Sequence, residues 1–506
     1  MSLHVQRCLC SFTHYALFWC IGALVGFGYV WCHWLGVFLI VSGMTALLLV
    51  QRITSLSVFL FFMGYCNVSA YWVSLSLHWF DAYWWEYALA ALLPGVALGC
   101  LFTLMSVLLP WWRLPYGMRA YGFGFVWSFY NVFQSLMNIC WHTMTDVWAS
   151  AALPMVQIAS LMGKDLTDML LVLGTMCMVH SILVRRFYIG VAGAIILGVI
   201  YSWGAVRLEQ DNNVGHQAIV RLVHTSMGLD ERTPCNLESR AKAMERMLQC
   251  TDDARIEATI LPEAFFSVPC EHYPKCMRVL ERLPHHAIVG VVRQEGGVYF
   301  NSIARIMQGM HRIVYDKKIL VPFGEYVPFR QYLPFDVRGL AQGGVDFGCG
   351  VNDPTYVCRD EPFCRLPAFY SMICYEGVLS KEDFDPQARW MLQVSNECWF
   401  FDSCARDQHW NMLCVRAIEV GRPILRATNW GLSGCIDAYG RTLRRYSGAT
   451  RVLVQGIPRI ACQETPYMQY WIWWQRLYWC IVSVLSCLLW IGVLRGSNAL
   501  GPKNYS

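Results

Sequence analysis

Ser371-Met372-Ile373-Cys374-Tyr375-Glu376-Gly377 reads as a buried strand that ends on a cysteine. The apolar approach through Phe369, Met372 and Ile373 stops at Cys374, and an acid and a glycine follow almost at once, as in a tight turn. A strand that runs into a turn delivers its last side chain to a sheet edge, where α/β folds place their chemistry. A thiolate is a strong nucleophile, but at neutral pH it forms only beside a base or a cation. The chain has 23 cysteines, and a buried cysteine is ordinarily a small hydrophobe. Cys374 stands apart because two polar constellations lie upstream of it in the same predicted domain.

The first is Leu261-Pro262-Glu263-Ala264. A short strand over 258–261 is expected to break at Pro262, which leaves the Glu263 carboxylate at the strand edge. The second runs from Tyr315 through Asp316, Lys317, Lys318, Pro322 and Phe323 to Gly324 and Glu325. Strand alternation puts Tyr315 and Lys317 on one face and Asp316 and Lys318 on the other. Taken singly, a solvated loop glutamate and a paired surface lysine are the plainer readings. Taken with Cys374, they supply an acyl-transfer site. Glu263 can accept the thiol proton. The ammonium can hold the thiolate and then the oxyanion of a tetrahedral intermediate, with the Tyr375 backbone N–H as a second oxyanion donor.

Composition places this domain in a membrane protein. The 506 residues are 56% hydrophobic and 15% charged, with 22 Trp and a mean hydropathy of +0.35. Apolar runs near 11–30, 34–50, 54–74, 87–109, 121–140, 166–184, 187–205 and 471–494 predict about eight spans. Arg7, Arg52, Arg113, Arg119, Arg185, Arg186, Arg495 and Lys503 fall on one side if the N-terminus is inside. Both termini are therefore expected in the cytoplasm and the segment from about 206 to 467 outside. The loops around 75–86 and 141–165, with Asp81, Glu86, Asp146, Lys164 and Asp165, would lie on the outer side. Gly22, Gly26 and Gly28 suit close helix packing, and Trp31, Trp34, Tyr83, Trp84, Trp85, Trp111 and Trp112 suit interfacial anchoring. His33 and His180 read as packed or interfacial. Few ionisable residues fall within the spans, which argues against a transporter. The net charge of +5 and the absence of a basic tract argue against nucleic acid.

The charged middle of the chain alternates strands with helices. Strands are expected over 218–224, 287–293, 299–307, 311–317, 389–395, 424–427, 433–437 and 443–446, and helices over 236–250 and 410–421. That pattern predicts an α/β or α+β sandwich of about 250 residues. The stretch 336–365 reads as a long irregular insert, and its Cys349, Cys358 and Cys364 are disulfide candidates in an oxidising compartment. No cysteine set has zinc spacing, so no metal is expected.

The Glu-Lys-Cys order resembles that of the nitrilase superfamily, whose fold is an αββα sandwich. The likeness narrows on Lys-x-x-Leu-Val-Pro-Phe-Gly-Glu-Tyr-x-Pro from Lys317, Ile-Cys-Tyr-Glu at 373–376, Ser395-Asn396-Glu397-Cys398-Trp399-Phe400, Gln408-His409, Arg416 to Pro423, Arg426 to Gly431, and the run 153–160. These blocks, and an architecture of seven spans, an outer domain and a final span, resemble the apolipoprotein N-acyltransferase family. The resemblance implies a membrane domain over 1–205, an extracytoplasmic nitrilase-like catalytic domain over 206–467, and a last span with a short tail over 468–506, in a bacterial inner membrane. It implies Glu263 as general base, Lys317 as the stabilising cation and Cys374 as the acyl-accepting nucleophile. Glu325, Tyr375, Glu376, Asn301, Asn396 and Trp399 would support them. The implied reaction takes an acyl chain from a phospholipid as a Cys374 thioester and passes it to the amine of a diacylglyceryl-cysteine apolipoprotein, with no cofactor. A membrane-anchored amidase and a silent lipid-binding scaffold are the alternatives. The sequence departs from the family pattern at Glu397, where an aspartate is usual, and at Phe401, where a glycine is usual.

Overall fold

Long apolar runs interrupted by glycine and closed by aromatic residues form helices, and the computed structural model places a helix on each of the eight predicted ranges. It describes residues 3–31, 33–77, 83–136, 141, 143–209, 215–227, 255–266, 278, 281, 286–307, 310–328, 330–332, 346–357, 366–379, 384–459 and 464–499. The chain divides into two units. One gathers Met1–Gln210, Ser403–Val415 and Thr465–Ser506, and the other gathers Asp211–Asp402 and Arg416–Glu464.

In the helical unit, five helices among the described residues are long and apolar enough to cross a membrane. They fall at Thr13–Val30, Trp84–Leu108, Ala159–Val184, Phe187–Glu209 and Pro466–Arg495. The apolar helices Trp34–Leu49 and Ser55–Ser69 are shorter. This is a polytopic membrane protein. The first helix, Leu3–Val30, meets Ser55–Ser69 through small residues: a Cβ on Gly22 would lie 1.8 Å from the Phe61 carbonyl oxygen, so only glycine permits the approach. Trp31, Trp34 and Trp84 are exposed near helix ends, as interfacial anchors require. Gln408, from the segment that joins this unit late in the chain, donates to the carbonyls of Tyr29 and Ser69 at 3.1 and 3.3 Å and accepts from Trp141 Nε1 at 2.7 Å. It thereby satisfies carbonyls in the last turns of two helices.

The stretch 141–165 departs from the loop expected of it. A short helix, Met144–Ala151, and a 3₁₀ turn, Leu153–Val156, fold its residues inward, and Asp146 and Lys164 form a buried ion pair at 2.8 Å. Gly163, at φ +82°, breaks the start of the helix Ala159–Val184 and gives Lys164 this position. Asp168, one turn further on, is buried too. The periodicity hid these charges because the break at Gly163 turns a polar stretch back among the helices.

The second unit holds two six-stranded mixed sheets. Its strands are β1 His216–His224, β2 Ile256–Phe266, β3 His286–Glu295, β4 Val298–Met307, β5 Met310–Asp316, β6 Thr355–Tyr356, β7 Phe369–Ile373, β8 Trp390–Asn396, β9 Ile424–Asn429, β10 Ser433–Ile436, β11 Thr442–Tyr446 and β12 Arg451–Pro458. The orders are β12-β1-β2-β3-β4-β5 and β11-β10-β9-β8-β7-β6. Within them β1, β2 and β3 run parallel, as do β7, β8 and β9. Strands β7, β8 and β9 are buried along their whole length, so the polar side chains they carry, Gln393 and Arg426 among them, are buried too. One core joins the sheets, with Val220, Leu222, Ile260 and Ile288 from one packing with Phe369, Leu392, Val394 and Leu425 from the other.

Two boundaries differ from the sequence reading. β2 does not end at Pro262 but continues through it to Phe266, because the proline falls in a register break between Leu261 and Phe266 where no ladder hydrogen bond is demanded of it. The helix expected over 410–421 starts earlier, at Ala405. The helix expected over 236–250 lies outside the described residues, as do Cys358 and Cys364. Cys349 is an exposed free thiol, and the described cysteines form no disulfide.

Candidate active site

Glu263 and Cys374 are placed by irregular backbone, and Lys317 by the end of a strand. At the bulge in β2, Ala264 takes φ +42° and Glu263 turns into the interior. The neighbouring β3 makes room with Gly290, where a Cβ would lie 2.5 Å from the Glu263 Cα. Lys317 follows the last residue of β5, its N–H donating to the Asn301 carbonyl at 2.8 Å. Cys374 follows β7 and opens a 3₁₀ turn, Cys374–Val378, at φ +50°. Left-handed conformations at Ala264 and Cys374 cost about 1–3 kcal/mol each, and neighbours that over-determine them must supply it.

The side chains converge. Lys317, 1% exposed, puts its Nζ 2.8 Å from Glu325 Oε2 and 3.8 Å from Glu263 Oε1. The Asn301 amide donates to Glu263 Oε1 at 2.7 Å and Glu325 Oε1 at 2.8 Å, so one NH₂ group spans both carboxylates. The Asn396 backbone N–H donates to Glu263 Oε2 at 2.6 Å, and Val321 N–H donates to Glu325 Oε2 at 2.8 Å. Glu376 ties the lysine loop to the cysteine turn. It accepts from the Tyr315 hydroxyl at 2.6 Å and the backbone N–H groups of Lys318 and Ile319 at 2.9 and 3.2 Å, and from Ile373 N–H at 2.8 Å.

The electrostatics follow from burial. Burial lifts the Glu263 carboxyl above its usual range; Lys317 pulls against that and Glu325 adds to it. Burial opposes the Lys317 ammonium, but Glu325 and Glu263 outweigh it and hold the lysine charged. Burial, and then the Glu263 charge, push the Cys374 thiol well up, while Lys317 and the Ser395 hydroxyl pull it down. The resting cysteine is therefore a neutral thiol beside a carboxylate of raised basicity. Moving its proton to Glu263 leaves the total charge of the pocket unchanged, which a low-dielectric site favours over ionising the thiol outright.

The residues singled out from the sequence thus come together as Glu263, Lys317, Glu325, Asn301 and the Asn396 backbone, with Cys374 under their field and Glu376 joining its turn to the Lys317 loop. Tyr375 is half-buried in that turn, and Trp399 is half-buried in the 3₁₀ turn Cys398–Phe400. The hydrogen bonds named above do not run through either. The sequence reading missed Asn429, whose amide donates to Asn396 Oδ1 at 2.9 Å. It sits in a motif block, but only the pairing of β8 with β9, which aligns Asn396 with Asn429, assigns it to the site.

The carbon-nitrogen hydrolase family model matches residues 233–467. The chain is similar to the carbon-nitrogen hydrolases. It is also similar to proteins named apolipoprotein N-acyltransferase. That of Methylococcus capsulatus is 33% identical over 190 residues, 37% of this chain and 36% of that protein. That of Pseudomonas aeruginosa is 36% identical over 179 residues, 35% of this chain and 33% of that protein. These alignments span about a third of either relative's length. A longer alignment, to the protein of Caulobacter vibrioides, is 27% identical over 394 residues and covers 73% of this chain and 72% of that protein. The similarity supports a nitrilase-type unit in a membrane protein. Among the described residues, no cluster of His, Cys, Asp and Glu could hold a metal ion.

Proposed function

We propose that this protein is an N-acyltransferase that moves an acyl chain from a membrane phospholipid to the N-terminal amine of a diacylglyceryl-cysteine apolipoprotein. The observation that carries the reading is a half-buried thiol under the field of one lysine and two glutamates, in a chain whose described residues include five membrane-length helices. Similarity to proteins of that name supports it.

In the first half-reaction Glu263 takes the thiol proton of Cys374 as Sγ attacks the ester carbonyl of the lipid. Lys317 and the Tyr375 N–H stabilise the oxyanion. The C–O bond then breaks, Glu263 returns the proton to the departing glycerol oxygen, and lysophospholipid leaves behind a Cys374 thioester. In the second half-reaction the amine attacks the thioester and gives a proton to Glu263. The C–S bond breaks, the amide forms, and the thiol takes the proton back. Glu325 and Asn301 orient Lys317 and Glu263, and no cofactor is needed. An amine outcompetes water when the site excludes water, and a lipid-facing site does so. The protein would sit in a bacterial inner membrane with both termini cytoplasmic and the catalytic unit outside.

The test is reconstitution of the full chain with phosphatidylethanolamine vesicles and a synthetic diacylglyceryl-cysteinyl peptide. Lysophospholipid and N-acyl peptide should appear in equal amounts, and an N-acetylated peptide should accept nothing. Release of free fatty acid at the same rate with and without the peptide would identify a hydrolase instead.

A further inference from the structure

Beneath the cysteine turn lies a polar chain that the reaction above does not use. Gln393 on β8 donates its Nε2 to the Cys374 carbonyl at 3.0 Å. Its Oε1 accepts from Arg426 Nε on β9 at 2.6 Å. Arg426 Nη2 pairs with Glu397 Oε1, and Glu397 Oε2 accepts from Leu432 N–H at 3.3 Å. Register makes the chain possible, because Met372, Gln393 and Arg426 align across β7, β8 and β9. Gln393, Arg426 and Glu397 are each 0% exposed.

A buried ion pair is a poor device for stability, since apolar residues of similar volume often do as well or better. This one has a directional consequence. A guanidinium has donors only, so Arg426 compels the Gln393 amide to turn its oxygen toward it. The Gln393 NH₂ must then face the Cys374 carbonyl. In a trans peptide the carbonyl and the following N–H point in opposite directions. Pinning the Cys374 carbonyl therefore aims the Tyr375 N–H, at the one residue of the turn held at φ +50°.

We infer that Gln393 is a positioning residue for the acyl-transfer step, held in one orientation by the buried Arg426–Glu397 pair, and that it aims the Tyr375 N–H at the developing oxyanion. The inference rests on the reading of Cys374 as nucleophile. It separates two properties that a merely structural glutamine would leave together. The thiol's own reactivity toward an alkyl halide needs no oxyanion donor, whereas acylation does.

The test compares wild type and Gln393→Glu as full-length protein in detergent, with p-nitrophenyl butyrate and iodoacetamide as probes of Cys374. The substitution keeps the shape and the Arg426 partner but removes the donor to the carbonyl. Acylation, read as p-nitrophenol burst rate and as thioester mass, should fall about 10- to 100-fold with KM within twofold. Alkylation by iodoacetamide should stay within about threefold. Gln393→Met, which leaves no carboxylate under the turn, should show the same split and covers the case in which Gln393→Glu does not fold. Arg426→Lys, which keeps the charge but loses the fork, should fall between wild type and Gln393→Met. Equal acylation rates in wild type and a folded Gln393 variant would overturn the inference, as would parallel losses of acylation and alkylation. Wild-type acylation by the ester but not by phospholipid vesicles would instead overturn the lipid reading, and the variant ratio would still decide this one.

Discussion

Among the described residues Lys317 and Lys164 are both buried beside carboxylates, and the proposed reaction uses only Lys317. Lys317 meets Glu325 and Glu263 at 2.8 and 3.8 Å. Lys164 meets Asp146 at 2.8 Å and lies one helical turn before Asp168. The difference lies in how the acids are satisfied. Asp146 accepts from the Thr143 N–H and hydroxyl at 2.6 and 3.0 Å. Asp168 accepts from Asn131 at 2.9 Å and from the Thr145 N–H and hydroxyl at 3.0 and 3.1 Å. Asn131 lies on the helix Arg119–Leu136 and Thr145 on Met144–Ala151, so these donors tie helices together. In the other set a single amide, Asn301, spans two carboxylates. A thiol at positive φ stands in the same field, and the strand bearing Glu263 is bulged. Buried charge alone therefore does not mark out a site; the proposed one adds a thiol on strained backbone beside the charge.

The largest effect expected from this contrast is that of Lys317→Met. It leaves two carboxylates facing each other with no cation and removes the oxyanion's partner. Thioester formation should drop by about 10³-fold or more per folded molecule, measured by single-turnover loading. Lys164→Met should do the reverse. Leaving Asp146 buried without its partner should cost about 3–5 kcal/mol of stability, read from unfolding in detergent. The loading rate of the folded fraction should stay within about twofold. If the two variants behave alike, the distinction between the clusters fails.

A finer test uses pH. Glu263 acts as base only when ionised, and burial has lifted it above its ordinary value of 4.5. Loading should rise with pH until that raised value is passed. A carboxyl raised on folding holds its proton in the native state between 4.5 and the raised value, so native stability should fall with rising pH in that window. Asn301→Ala removes a donor to the ionised form and should move the acid limb of the rate profile to higher pH by about one unit, the equivalent of one hydrogen bond to a charged acceptor. An unmoved limb would remove Asn301 from the site. The smallest effect should come from Thr145→Val, which deletes the Thr145 hydroxyl donor to Asp168 while the backbone donor remains. About 1 kcal/mol of stability and no change in loading are expected.

Much of this architecture was legible residue by residue. An apolar run into Cys374, alternation that separates Lys317 from Asp316, and Glu325 after a Pro-Phe-Gly turn all reflect local rules, and the structure brings those side chains together. Glycines at 22 and 26 announced a close helix contact for the same reason. What stayed hidden depends on register or on breaks. Gln393 and Arg426 look like isolated polar residues in apolar strands until β7, β8 and β9 are aligned. Pro262 reads as a strand end because a proline cannot donate, and a bulge removes that objection. Asp146 and Lys164 read as loop charges because the left-handed Gly163 cannot be seen in a periodicity. Phe401, where the resembled family carries glycine, takes φ +48°, so the pattern named the backbone conformation although the residue did not.

The central claim is that Cys374 carries the acyl group, and mass spectrometry of the full-length protein after incubation with phospholipid vesicles tests it most directly. An acyl mass should appear on the peptide containing Cys374, be removed by neutral hydroxylamine, and be missing in Glu263→Gln and Cys374→Ala. An unmodified Cys374 in protein that still binds the vesicles, or an acyl adduct that persists in Cys374→Ala, would contradict it.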